Sequence, residues 1–212
     1  IGNHDIYYRN TNKVNAVQEL CTAPDGVNEP FIYEEPKVVD FDGLNILMMP
    51  WINPENEAQC LEMLNKANAE ICMGHFDLNG FRMMDHMVQT HGYDKSIVSR
   101  FEKTYSGHFH HKNGDGQVLY LGSQYEMTWS DYNNKKGFHI FDTETRDVEF
   151  IENPHTIFKK LMYDDTETDY DKFDITEYNH KFIKLVVVNK KDNQMFDRLL
   201  DRMYNKISVH EL

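Results

Sequence analysis

Apolar positions along this chain fall in short runs, and their spacing predicts many strands and a few helices. Val14, Val17 and Leu20 stand at helical spacing within Lys13 to Cys21, and Ala23-Pro24-Asp25-Gly26 ends the pattern. Lys37 to Asp40 and Leu44 to Met49 read as two strands of a hairpin joined through Asp42-Gly43. Pro54, Glu55 and Glu57 then open a helix running to about Asn68, with Ala58, Leu61, Met63 and Leu64 available for packing. Ala69 to Met73 predicts a strand that stops at Gly74-His75, and the Met-rich stretch Phe81 to His91 has a helical look. Thr104-Tyr105-Ser106, Val118 to Leu121, Gly137 to Asp142 and Asp147 to Ile151 complete the strands of this part.

Beyond Asn153-Pro154 the character changes. The acidic segment Tyr163 to Asp174 reads as a solvated linker or rim, followed by a strand at Phe182 to Val188 and a helix at Asn193 to Asn205. Strands that first alternate with helices and then follow one another predict a mixed α/β layered sandwich. The last pieces predict the start of a second, smaller domain. The division expected is 1–152 and 153–212, and no internal repeat is apparent.

Composition changes this picture little. The 212 residues are 40% hydrophobic and 27% charged, as in an ordinary globular protein, and no apolar run approaches the ~18 residues of a membrane span. Cys21, Cys60 and Cys72 make no CxxC pair and read as buried free thiols in a reducing cytoplasm. The net charge of −13 argues against a broad basic DNA-binding face, yet bound divalent metals can supply positive charge where a phosphate needs it. The chain opens on Ile1 rather than Met and is expected to be a piece of a longer protein.

Three short motifs carry the candidate chemistry. In Gly2-Asn3-His4-Asp5 an amide oxygen can ligate a metal, the adjacent imidazole is free to act on substrate, and the carboxylate can orient it. A polar turn accounts for these four residues equally well. Gly74-His75-Phe76-Asp77 brings an imidazole out at a strand tip, where a hydrogen-bonded structural histidine is the commoner occupant; Asp77 reads as a turn or capping residue. Gly107-His108-Phe109-His110-His111 places His108 and His110 at i and i+2, on one side of an extended segment, with His111 facing away. A surface histidine cluster is the alternative.

The ordered set GNHD, GH and GHFH resembles the calcineurin-like metallophosphoesterases. Within them it is similar to the SbcD-type DNA-repair nucleases, including the recombination endonuclease subunits of T-even bacteriophages. Leu121-Gly122-Ser123, Trp129-Ser130-Asp131 and Lys135-Lys136-Gly137-Phe138 extend the likeness, which covers residues 1–152 and more weakly the remainder. It implies a mixed two-sheet α/β/β/α metallophosphoesterase sandwich, N-terminally incomplete, with the start of a small α+β capping domain. It also implies two divalent ions, Mn²⁺ foremost with Fe²⁺ or Zn²⁺ as alternatives. Asn3, His75 and His108 would hold one ion and His110 the other. His4 would be the catalytic histidine and Asp5 its orienting partner.

The implied activity is metal-dependent phosphodiester hydrolysis of DNA, exo- or endonucleolytic, beside an SbcC-type ATPase. A homodimer is compatible with this, membrane association is not expected, and the setting is cytoplasmic (the host cytoplasm for a phage protein). The family also needs an Asp-x-His motif and a bridging Asp upstream of GNHD, so these 212 residues alone are expected to be inactive and to bind at most one metal weakly. A phosphatase of monoesters or phosphoproteins, and a non-catalytic scaffold that docks an ATPase, are the competing functions. Tyr7, Tyr8 and Arg9 read as a loop able to meet a nucleotide or merely solvent. His86, His91 and His139 read as structural, and Trp51 and Trp129 as packing residues before stacking ones.

Overall fold

A computed structural model describes residues 1–21, 30–84 and 87–211. Contacts divide it into two compact units, 1–123 with 137–151 and 124–136 with 152–212.

The first unit begins with a short helix, α1 (Ala16–Leu20), whose N-cap Asn15 accepts the Gln18 N–H. Its predicted packing face is not used. No α1 residue is buried, and Leu20 is 82% exposed. The break expected at residues 23–26 lies outside the described residues. Strands β1 (Lys37–Phe41) and β2 (Leu44–Met49) form the predicted hairpin, with Asp42 and Gly43 at φ 53° and 90°. Both central residues are left-handed, as the turn that matches the twist of paired strands requires. Helix α2 (Glu57–Lys66) starts three residues later than expected. Asn53 Oδ1 accepts the Glu55 N–H and Asn56 Oδ1 accepts the Asn53 N–H, which holds Pro54 to Asn56 in a turn of their own.

Strand β3 (Ile71–Gly74) matches its prediction. The Met-rich stretch does not, because it forms a small antiparallel pair, β4 (Arg82–Met84) and β5 (Met87–Val88). Gly80 and Gln89 N–H groups bond across to Gln89 and Phe81 carbonyls. An isolated short apolar run is ambiguous between strand and helix, and here Gly80 at φ 84° breaks the chain just before β4. His86 lies outside the described residues. Then come β6 (Lys103–Ser106), β7 (Asn113–Gly114), β8 (Val118–Tyr120), β9 (Gly137–Phe141) and β10 (Val148–Glu152).

One six-stranded mixed sheet organises this unit in the order β1-β2-β3-β6-β8-β7, with β2, β3, β6 and β8 parallel and the outer two antiparallel. Leu47, Cys72, Phe76, Val118 and Tyr120 form one core with Cys60 and Leu64 of α2. On the other side Leu44, Ile46, Ile71 and Tyr105 pack against Phe141 and Val148 of the β9–β10 pair. The unit is thus layered helix, sheet, sheet. Cys60 and Cys72 are buried free thiols as expected, whereas Cys21 is exposed. Burial pushes the Cys60 thiol up to about 12 and Cys72 upward as well, so neither is a ready nucleophile.

The second unit contains a parallel pair, β11 (Phe158–Asp164) and β12 (Phe182–Asn189), and helix α3 (Asn193–Lys206) capped by Asp192. Strand β11 was not predicted, and the acidic segment is not merely a linker. Tyr163 and Tyr170 stack at 4.3 Å and are buried with Leu161, Ile183, Leu199 and Met203. Asp171 holds Arg198 through two 2.7 Å bonds. Among the described residues no helix is long and apolar enough to cross a membrane.

Candidate metal centre

Sheet register brings the motifs together. Met49 pairs with Gly74, Gly74 with Ser106, and Ser106 with Tyr120, so the four parallel strands end in one row. The next residues along each strand therefore emerge side by side, where α/β sheets commonly hold ligands. They are Pro50-Trp51, His75, Gly107-His108 and Leu121-Gly122. The GNHD turn joins them because Trp51 N–H donates to the Ile1 carbonyl at 2.9 Å. Just beyond His75, Ser106 Oγ accepts the Phe76 N–H, and the Tyr120 hydroxyl accepts the Leu78 N–H and donates to the Phe76 carbonyl.

Asn3, His75 and His108 meet. Asn3 Oδ1 lies 2.9 Å and His108 Nδ1 3.1 Å from His75 Nε2. Three atoms with lone pairs thus converge where a single proton can serve only part of the contact. Adjacent ligands about 2.1 Å from an octahedral ion lie about 3 Å apart, which is the spacing found here. Both distances from His75 Nε2 therefore match the spacing of neighbouring donors on a divalent ion. Only two of the donors are imidazoles, and among the described residues no group of three or more His, Cys, Asp or Glu side chains is arranged to hold a metal. Burial lowers the His75 pKa to about 4, helped by the neighbouring His108, and burial likewise lowers that of His108 against the pull of Asp77. Both rings are neutral near pH 7, as ligation requires.

The remaining predicted residues are placed differently. His4 is exposed on the same turn. Asp5 closes that turn by accepting the Gly2 N–H at 2.6 Å, and no hydrogen bond joins it to the His4 ring among the described residues. His110 is half-buried, and its charge acts on His108. The GHFHH run is a bend rather than an extended strand, although Phe109 and His111 are buried while His108 and His110 are more open. Glycine is needed at Gly74 for closeness rather than turning, since a Cβ there would stand 2.8 Å from the Met49 carbonyl oxygen.

Two neighbours that the sequence offered only as a packing aromatic and a turn or capping residue lie against these rings. The Trp51 ring lies over His108, with centroids 5.4 Å apart at 32°, and meets His75 edge-on at 5.9 Å. Its carbonyl accepts from Asn12 and Asn56, both at 3.0 Å. Asp77 Oδ1 lies 3.9 Å from His108 Nε2, on the far side of the ring from His75, and accepts from Gln89 at 2.7 Å. A carboxylate behind a ligating imidazole is a common support for its orientation. A cavity of about 320 Å³ opens beside His75, lined in part by Gly2, Asp5, Tyr33 and Met73.

The fold and site define an α/β protein whose parallel strands end in one row, beside which Asn3, His75 and His108 meet. Over 210 residues, 99% of its length, the chain is 32% identical to exonuclease subunit 1 of Enterobacteria phage T4. It spans 60% of the length of that protein. No family model matches. The chain is a relative of a phage exonuclease subunit, in keeping with the likeness carried by GNHD, GH and GHFH.

Proposed function

We propose that this chain carries part of a metal-dependent phosphodiesterase centre of the SbcD type, acting on DNA with an SbcC-type ATPase in the host cytoplasm. The convergence of Asn3 Oδ1 and His108 Nδ1 on His75 Nε2 is the observation that supports it. The helix, sheet, sheet layering then belongs to a two-sheet metallophosphoesterase sandwich. The unit of residues 1–123 with 137–151 then serves as the nuclease domain, and that of 124–136 with 152–212 as a partial capping domain.

In this function Asn3, His75 and His108 hold one divalent ion, His110 belongs to a second, and Mn²⁺ suits the mixed amide and imidazole donors. Such ions, when bound, neutralise phosphate charge and make water a stronger nucleophile. The chain's own residues do the rest. Burial keeps the His75 and His108 lone pairs free of protons, and Trp51 and Asp77 fix the rings. His4 donates a proton to the leaving sugar oxygen, a poor leaving group without one. Asp5 orients His4 through the backbone of the turn it closes.

The 212 residues contain no Asp-x-His string, so they hold at most one ion by themselves and leave DNA uncut. Mn²⁺ titration followed by electron paramagnetic resonance tests the site. The wild-type chain is expected to show one binding event, weakened at least about tenfold by His75→Ala or Asn3→Ala and unchanged by His4→Ala. Equal Mn²⁺ binding by the His75 and Asn3 variants would refute the assignment.

A further inference from the structure

Residues 6–18 contain no acidic side chain, in a chain of net charge −13. They open with a small hairpin. Ile6 and Asn15 form an antiparallel bridge, Tyr7 N–H donates to the Val14 carbonyl at 2.9 Å, and Ala16 N–H donates to the Asp5 carbonyl at 2.8 Å. Two buried asparagines pin its base. Asn12 donates to the Glu34 and Trp51 carbonyls and accepts from Asn53, while Asn15 donates to the Asn12 carbonyl and the Glu34 carboxylate. Lys13 is held by Glu55.

The tip stands free of this framework. Tyr7 is 77% and Tyr8 52% exposed, their rings meet edge to face at 4.8 Å, and Arg9 and Asn10 beside them are exposed. Two adjacent aromatics kept in solvent on a pinned base, next to an exposed guanidinium that no carboxylate pairs with among the described residues, match a base and its phosphate in shape and charge. Tyrosine gives up little rotamer freedom when it stacks. Tyr7 follows His4 by three residues, at most about 10 Å of chain, and strand phosphates advance by about 3.4 Å per nucleotide.

We propose that the Tyr7–Tyr8–Arg9 tip is a stacking platform for an unpaired base of single-stranded DNA, feeding the neighbouring phosphate toward His4 and His75. This rests on the nuclease function proposed above.

The test is the affinity of the full chain for a fluorescent oligothymidylate of about ten nucleotides, read by anisotropy in EDTA so that neither metal nor cleavage contributes. Replacing Tyr7 and Tyr8 together with alanine is expected to weaken binding about tenfold or more. Replacing both with phenylalanine keeps the ring faces and should hold affinity within about twofold. Arg9→Ala should flatten the dependence on salt. If the wild-type chain binds and the double alanine variant binds equally well, the platform is refuted while the nuclease function stands. If the wild-type chain does not bind the oligonucleotide, both fall. If the double alanine variant keeps its affinity but changes its sedimentation from oligomer to monomer, the tip is a protein contact and the proposal is overturned.

Discussion

Gly2 has no room for a methyl group. A Cβ there would stand 2.8 Å from His75 Cε1 and 2.9 Å from Nδ1, closer than side chains tolerate. Gly2→Ala should therefore push the imidazole away from Asn3 and His108. Mn²⁺ affinity is expected to fall about tenfold or more, while the melting temperature moves by only a few degrees, a loss of about 1 kcal/mol. Calorimetric titration and thermal unfolding of the same variant separate the two effects, and an unchanged affinity would show that the ring position does not matter. At this scale the sequence was most readable in its histidines, because GNHD, GH and GHFH are local strings. Trp51 and Asp77 were not readable. Each matters only through a ring brought beside it by strand pairing, and Asp77 alone looks like any turn aspartate.

Among the elements, the most exacting demand falls on the 3₁₀ turn at Trp129–Asp131. The Asp131 carboxylate is buried, yet it accepts the Lys136 ammonium at 2.7 Å and the Met127 and Thr128 N–H groups at 2.9 and 3.0 Å. Burial raises its pKa, but these donors outweigh burial and hold it below the ordinary aspartate value. Lys136→Met takes the ammonium partner from that buried carboxylate and should cost about 3–5 kcal/mol in urea unfolding at pH 7. The sign with pH follows from the lowered value. The stability Asp131 contributes is fully present above its unfolded pKa of about 3.9 and is lost as pH falls through the folded value. Asp131→Asn should accordingly lose less stability than wild type between about pH 4 and pH 2, and an equally steep acid loss would contradict this.

The elements themselves were unevenly legible. The Asp42-Gly43 hairpin was plain because few residues suit two left-handed positions in succession. Strand β11 was hidden by Lys159 and Lys160 inside its apolar alternation, and the acids around Tyr170 masked a tyrosine that is buried. Helical spacing in α1 signified little about packing, since Val17 is only half-buried and Leu20 is exposed.

For the molecule as a whole, two units with separate cores predict two heat-absorption peaks in scanning calorimetry. Lys136→Met should lower one peak, that of the unit holding β11, β12 and α3, and leave the other within about 1 °C. A single peak moved as a body would mean that the units unfold together. Fold class was legible at this scale because alternating strands and helices constrain layering. The path of residues 124–136 into the second unit was not, as nothing local to that segment announces which core it joins.

The row Met49, Gly74, Ser106, Tyr120 carries a further consequence. Asn3, His75 and His108 come from stretches far apart in the chain, and a slip of one residue in any pairing would turn a strand's side chains to the opposite face. No short peptide cut from the sequence brings the three together, and they meet only once β3 and β6 have paired. On the function proposed above, bound metal would then be a census of molecules whose strands have found their proper partners.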